Sequence, residues 1–100
     1  MLGTVGIHLR DDKIDFYEIS YWIAPAFTNR GFASQACQLA TKIALNVCMA
    51  NRLEIGTAKS NIASQMVAEK AGFEFEARLA NRCVGLTGRP DDAFIYLYPN

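Results

Sequence analysis

Between Tyr17 and Val47 the apolar spacing changes from every second residue to a helical repeat of about 3.6, and this switch most constrains the fold. Tyr17, Ile19, Tyr21 and Ile23 alternate with Glu18, Ser20 and Trp22, so residues 14–23 read as a strand. Pro25 cannot donate to a ladder and stops it. Ala36, Cys37, Ala40, Ile43, Ala44 and Val47 then recur at helical spacing and predict a long helix over 33–49, with Gln35, Gln38, Lys42 and Asn46 on its far side. Small residues dominate the stripe, so the helix can pack closely on a sheet. A strand, a short loop and such a helix make a unit that needs further strands to bury against.

The rest of the chain supplies them. Residues 2–10 are rich in apolar and β-branched side chains and end at Arg10-Asp11-Asp12-Lys13, which predicts a strand, a tight turn and an antiparallel hairpin with the next strand. Residues 53–58 read as a third strand. Residues 61–71 read as a second helix, capped near Ser60 or Asn61 and closed by Gly72. Residues 74–82 and 93–98 read as two more strands around a loop at 85–92 that holds two glycines and Pro90. Along the first of these, Arg78 and Arg82 read as solvated. The order is β-β-α-β-α-β-β in one domain over residues 1–100, with no repeat, linker or low-complexity segment.

Composition narrows the function classes. Ten basic and ten acidic residues cancel, which leaves no electrostatic footprint for nucleic acid or an anionic membrane. No apolar run reaches the roughly 18 residues of a membrane span, and the first residues lack the basic start of a signal peptide. Cys37, Cys48 and Cys83 have no C-x-x-C spacing and share one histidine, so neither a disulfide framework nor a metal site is expected. Cys37 and Cys48 read as small core residues, and the expected location is cytoplasmic.

The turn before the long helix carries the first functional signal. The opening N–H groups of a helix have no internal partners, and the macrodipole places partial positive charge there. Thr28 and Asn29 add donors, Arg30 adds a cation, and Gly31 lets the backbone approach a ligand. Such a turn can hold a pyrophosphate without metal, or be an ordinary helix start.

The segment 22–33 resembles the acetyl-CoA segment of the GNAT superfamily of N-acetyltransferases, especially the ribosomal-protein N-terminal acetyltransferase group. A strand ending in Tyr21-Trp22-Ile23-Ala24-Pro25 leads to the loop Thr28-Asn29-Arg30-Gly31-Phe32-Ala33. Asn61-Ile62-Ala63-Ser64, Glu69-Lys70-Ala71-Gly72-Phe73 and the tail Asp91-Asp92-Ala93-Phe94-Ile95-Tyr96 follow in the family's order. Thr28 and Asn29 stand where the family pattern has arginine and glycine. The resemblance implies an α+β sandwich, with a mixed, mainly antiparallel sheet and two helices. It implies that this chain corresponds to the C-terminal portion of the family fold, without the preceding strand-helix-helix-strand. An uncovered strand edge near residues 1–10 makes a homodimer the expected assembly.

The implied reaction moves an acetyl group from acetyl-CoA to a primary amine, at a protein N-terminus (ribosomal or other) or on a small molecule, by direct attack and without metal. Trp22, Ile23, Ala24 and Asn61 would meet the pantetheine chain, and Thr28 to Ala33 the pyrophosphate. Glu18 is the candidate base, or else pairs with a neighbouring cation. Ser64 is the candidate acid for the leaving thiolate, or else a helix-start hydroxyl. For Asn61 the alternative is an N-cap. His8, the only histidine, reads as a polar strand position. The alternative to an enzyme is a truncated, non-catalytic CoA-binding or oligomerisation domain.

Overall fold

The computed structural model describes residues 3–23, 32–85 and 87–99; for residues 3, 4, 21–23, 32 and 33 the backbone alone is described. The elements are β1 (Gly3–Asp11), β2 (Phe16–Ile23), α1 (Phe32–Asn46), β3 (Arg52–Ala58), α2 (Ile62–Lys70), β4 (Glu74–Val84) and β5 (Pro90–Leu97). They follow the order expected from the sequence. The sheet runs β1-β2-β3-β5-β4. Only β2 and β3 are parallel, and the other neighbouring pairs are antiparallel. This is the mixed, mainly antiparallel α+β architecture.

Both helices cover one face of the sheet. Ile19, Leu53, Ile55, Phe73 and Tyr96 form the core with Cys37, Ala40, Ala44 and Ala68 from the helices. Four buried residues of α1 are Cys37, Ala40, Thr41 and Ala44, so the stripe is narrow and small. The Thr41 hydroxyl is accommodated by donating to the Cys37 carbonyl at 2.7 Å. Burial pushes the Cys37 thiol up to about 11, against a weaker opposing hydrogen bond from Thr41, which fits a packing role.

Four expectations change. Helix α1 stops at Asn46, three residues short, because Met49 adopts a left-handed φ of 58° and Ala50 N–H folds back to the Ala44 carbonyl. Val47, past the helix end, is exposed and Cys48 is only half-buried, and Ile43 of the expected stripe is exposed within the helix itself. Strand β5 starts at Pro90 rather than Ala93, with Pro90 at its first position, where a missing donor costs least. Arg78 is held by Asp92 at 2.5 Å rather than left to solvent alone.

Two local motifs explain how the second helix is fixed. Asn61 caps α2, its Oδ1 accepting from Ser64 N–H at 3.1 Å. At the other end Phe73 N–H donates to the Ala68 carbonyl and Gly72 N–H to the Glu69 carbonyl, with Gly72 at φ 96°. That is a Schellman ending, in which the buried Phe73 and Ala68 supply the apolar contact.

Candidate functional site

The sheet is forked. Parallel pairing of β2 with β3 runs from Phe16↔Arg52 to Ile19↔Ile55 and stops there. Both strands continue, β2 to Ile23 and β3 to Ala58. Each keeps its outer neighbour: β1 follows β2 as far as Gly3↔Ile23, and β5 follows β3 as far as Ala58↔Ala93. Residues 20–23 and 56–58 thus each keep one strand edge free of sheet pairing, and the two edges face each other across the fork. An extended chain carrying amides could occupy such a gap as an added strand, with main-chain hydrogen bonds on either side.

The face away from the helices holds a groove of about 530 Å³ beside the fork. Its walls include Arg10, Glu18, Glu54, Gly56, Thr57 and Glu76. Strand alternation explains the grouping. Phe16 and Glu18 alternate with the core residue Ile19 and its neighbour Tyr17, and Glu54 and Gly56 alternate with Leu53 and Ile55. Glu18 and Glu54 are register partners, so two carboxylates lie side by side at the last paired rungs. Repulsion between them is relieved by separate cations. Glu54 accepts from Arg52 Nε at 2.5 Å, and Arg52 also binds Glu76. Burial works to lower the Arg52 pKa, but these hydrogen bonds outweigh it and raise the value above its ordinary level.

Glu18 has the looser partner, Arg10 at 3.9 Å, and its side chain is 29% exposed. A Cβ built on Gly56 would lie 3.7 Å from Glu18 Oε2, so this carboxylate stands over the glycine where the fork opens. It is the one expected catalytic residue placed directly at the groove. Next to it across the hairpin, His8 Nε2 and Ser20 Oγ share a 2.7 Å hydrogen bond, and His8 is exposed as expected.

The remaining expected residues divide. Asn61 and Ser64 lie at the start of α2, three and six residues past the end of β3, with Ser64 half-buried. The capping role of Asn61 is established by its bond to Ser64 N–H, which uses the amide oxygen and not the NH₂. Trp22 and Ile23 are placed through their backbone alone, on the free edge of β2. Phe32 and Ala33 open α1. Ala24, Thr28, Asn29, Arg30 and Gly31 lie outside the described residues.

Asp91 anchors the turn between β3 and α2. Hydrogen bonds from the Ser60 hydroxyl and from Ser60 N–H, the latter at 2.9 Å, hold its carboxyl below the ordinary range. Asp92 is held down similarly by Asn81 N–H and by Arg78.

Sequence reasoning missed Arg10, Glu54, Gly56, Thr57 and Glu76. The alternation of Glu54 and Gly56 with Leu53 and Ile55 was a usable signal, because it puts Glu54 on the same face as Glu18. Nothing local marks Thr57. It is 5% exposed, and among the described residues its Oγ1 is the buried side-chain polar atom with no hydrogen-bond partner.

Known proteins similar to this chain identify its family and fold. The pattern defining the acetyltransferase (GNAT) domain matches residues 1–74. A putative ribosomal N-acetyltransferase, YdaF, from Bacillus subtilis is 32% identical over 78 residues, which is 78% of this chain and 43% of that protein. The crystal structure of a probable acetyltransferase superposes with a TM-score of 0.87 at 29% identity, covering 97% of this chain and 54% of that one. Mycobacterium smegmatis RimJ, solved in complex with CoA-disulfide, shares the fold with a TM-score of 0.85 at 22% identity, over 96% of this chain and 46% of its own. The chain spans about half the length of the relatives it matches.

Proposed function

Because this chain belongs to the GNAT acetyltransferase family, we propose that it binds acetyl-CoA in the fork between β2 and β3 and passes the acetyl group to a primary amine. The fork carries this reading. Two strands that part at Ile19↔Ile55, each still paired on its outer side, offer facing rows of main-chain groups to the amide-bearing pantetheine chain. The residues fit that ligand in a second way, since the helix α1 begins soon after β2 and can present its first N–H groups to the pyrophosphate. The segment 28–33 is the proposed pyrophosphate loop.

Acetyl-CoA brings an already activated thioester, so the chain's own residues have three tasks: to hold the cofactor, to keep the amine neutral and to protonate the leaving sulfur. Glu18 is the proposed base. It lines the groove beside Gly56, its ion-pair partner among the described residues is the exposed Arg10 at 3.9 Å, and it would accept a proton directly or through one water. Ser64 is the proposed donor to the thiolate, with Asn61 turned to the pantetheine chain. The acceptor amine would enter through the groove beside Glu18, the carboxylate there that Arg10 holds only loosely and that can accept from an amine. A protein N-terminus, ribosomal or other, and a small amine both present that chemistry. Assembly as a homodimer in the cytoplasm completes the proposal, with β1 as an edge strand exposing Val5 and Leu9.

Isothermal titration with acetyl-CoA and with CoA is the direct test. Micromolar to low millimolar binding is expected, and no heat at millimolar ligand would sink the reading. Thiol release in the presence of amines and N-terminal peptides then separates an enzyme from a domain that only binds. Light scattering should give twice the 11.1 kDa chain mass, and a clean monomer refutes the dimer.

A further inference from the structure

Thr57 is a polar side chain in a place that ought to be apolar. On β3 it follows Leu53 and Ile55, both buried against the helices, and is itself 5% exposed. Burying a hydroxyl without a partner is costly, and native structures rarely leave one so. The other buried threonine shows the usual solution: Thr41 spends its hydroxyl on the Cys37 carbonyl of its own helix. A strand gives Thr57 no such carbonyl one turn back, and its Oγ1 bonds to none of the described residues.

Its position in the sheet supplies a reason. Thr57 lies two residues beyond the last β2–β3 pair, on the inner edge of the fork, bordering the groove while its side chain shares the helix-side face with Leu53 and Ile55. On its other side β3 is still paired, Thr57 opposite Phe94. Valine fills nearly the same volume, has a higher strand preference and would need no partner.

We propose that Thr57 Oγ1 is a cofactor-binding group: it exchanges a hydrogen bond with an amide of the pantetheine chain as that chain lies in the fork. This rests on the fork being the acetyl-CoA site. A hydroxyl both donates and accepts, so it can answer either the N–H or the C=O of an amide. Thr57 is thus a side-chain anchor on β3 at the helix side of the fork, just past the point where β2 stops pairing. It contributes through the bound state, and among the described residues of the ligand-free protein it has no hydrogen-bond partner.

The test compares wild type, Thr57→Val and Thr57→Ser for CoA affinity by titration calorimetry and for ligand-free Tm. Expected is an affinity for CoA weakened about tenfold in Thr57→Val, near wild type in Thr57→Ser, with the Tm of Thr57→Val equal to or above that of wild type. Val binding CoA within twofold of wild type overturns the inference and leaves the hydroxyl to a buried water. Weakening in both variants together with a lowered Tm in both also overturns it, as a packing role. If wild type itself binds no CoA, the fork reading falls first, and this inference falls with it.

Discussion

Strand β3 has two neighbours and treats them differently. Toward β5 it stays paired to its last residue, Ala58↔Ala93. Toward β2 it is paired only from Arg52 to Ile55. The closed seam is continued by β4, and its rings interlock: Phe75 meets Phe94 and Tyr96 edge-on at 5.2 and 5.8 Å. The open seam has fewer ladder bonds and more unspent polar groups, among them the free strand edges, the loosely paired Glu18 and the Thr57 hydroxyl. Ladder bonds and packed rings hold the fold together, whereas unspent donors and acceptors are what a ligand can use. One strand therefore serves stability on one side and recognition on the other, and changes on the two sides should separate in experiment.

The largest separation is expected at Glu18. Glu18→Gln keeps the shape and removes the base, so acetyl transfer should fall by about 10² to 10⁴. Its ion pair with Arg10 is long and exposed on the arginine side, so Tm should barely move. A steady-state assay beside a thermal melt reads both, and a variant that unfolds early with its turnover intact would assign Glu18 to structure. The reverse is expected at Ile55, the last paired residue of β3, with 1% exposure. Ile55→Ala should cost about 2–5 kcal/mol in urea unfolding, near the whole stability of a domain this small.

These predictions draw on two kinds of knowledge, and the sequence supplied them unequally. Tyr17 and Ile19 announced β2 by alternation, Cys37, Ala40 and Ala44 announced a close-packed helix, and Gly72 announced a left-handed C-terminus. All three are local signals, because the physics that sets them lies within a few residues. The fork is a matter of where two distant strands stop pairing, and no residue near Ile19 or Ile55 encodes it alone. The same holds for Arg52, which reaches both Glu54 and Glu76, the latter on another strand, and for Thr57, whose oddity is visible only once its surroundings are known. The end of α1 was misread because Met49, not a glycine, takes the left-handed turn. Glu18 was legible by resemblance, but its company of carboxylates was not.

The closed side should also announce itself in acid. Asp91 and Asp92 are held below their ordinary values by hydrogen bonds from Ser60, Asn81 and Arg78, so their folded pKa lies below the unfolded one. Such groups stabilise the fold above the unfolded value of about 3.9, and the contribution is lost as pH falls through the folded pKa. Urea midpoints measured from pH 6 down to pH 2 should therefore drop less steeply for Asp91→Asn/Asp92→Asn than for wild type. Equal slopes would remove the two aspartates from the acid response. The effect is modest, because both carboxyls are near the surface.

The smallest expected change in stability is the most discriminating one. Gly56 lies on β3 just past the last pair, and its φ is not in the left-handed region that only glycine favours. A Cβ there would make ordinary contacts at 3.7 Å with Glu18 Oε2 and Ile95 Cδ1, so nothing need shift. Glycine inside a strand costs roughly 0.5–1 kcal/mol relative to alanine, which makes Gly56→Ala neutral to slightly stabilising. The same methyl group projects into the groove against the proposed base. If the open seam is the site, the variant should melt no lower than wild type and yet lose turnover, with CoA affinity less affected because the acceptor side is the one narrowed. Should Gly56→Ala turn over as well as wild type, the groove beside Glu18 is not where the amine approaches. Should it melt several degrees lower, the glycine serves the packing of β3 against β5, and the division of labour across that strand is weaker than its pairing suggests.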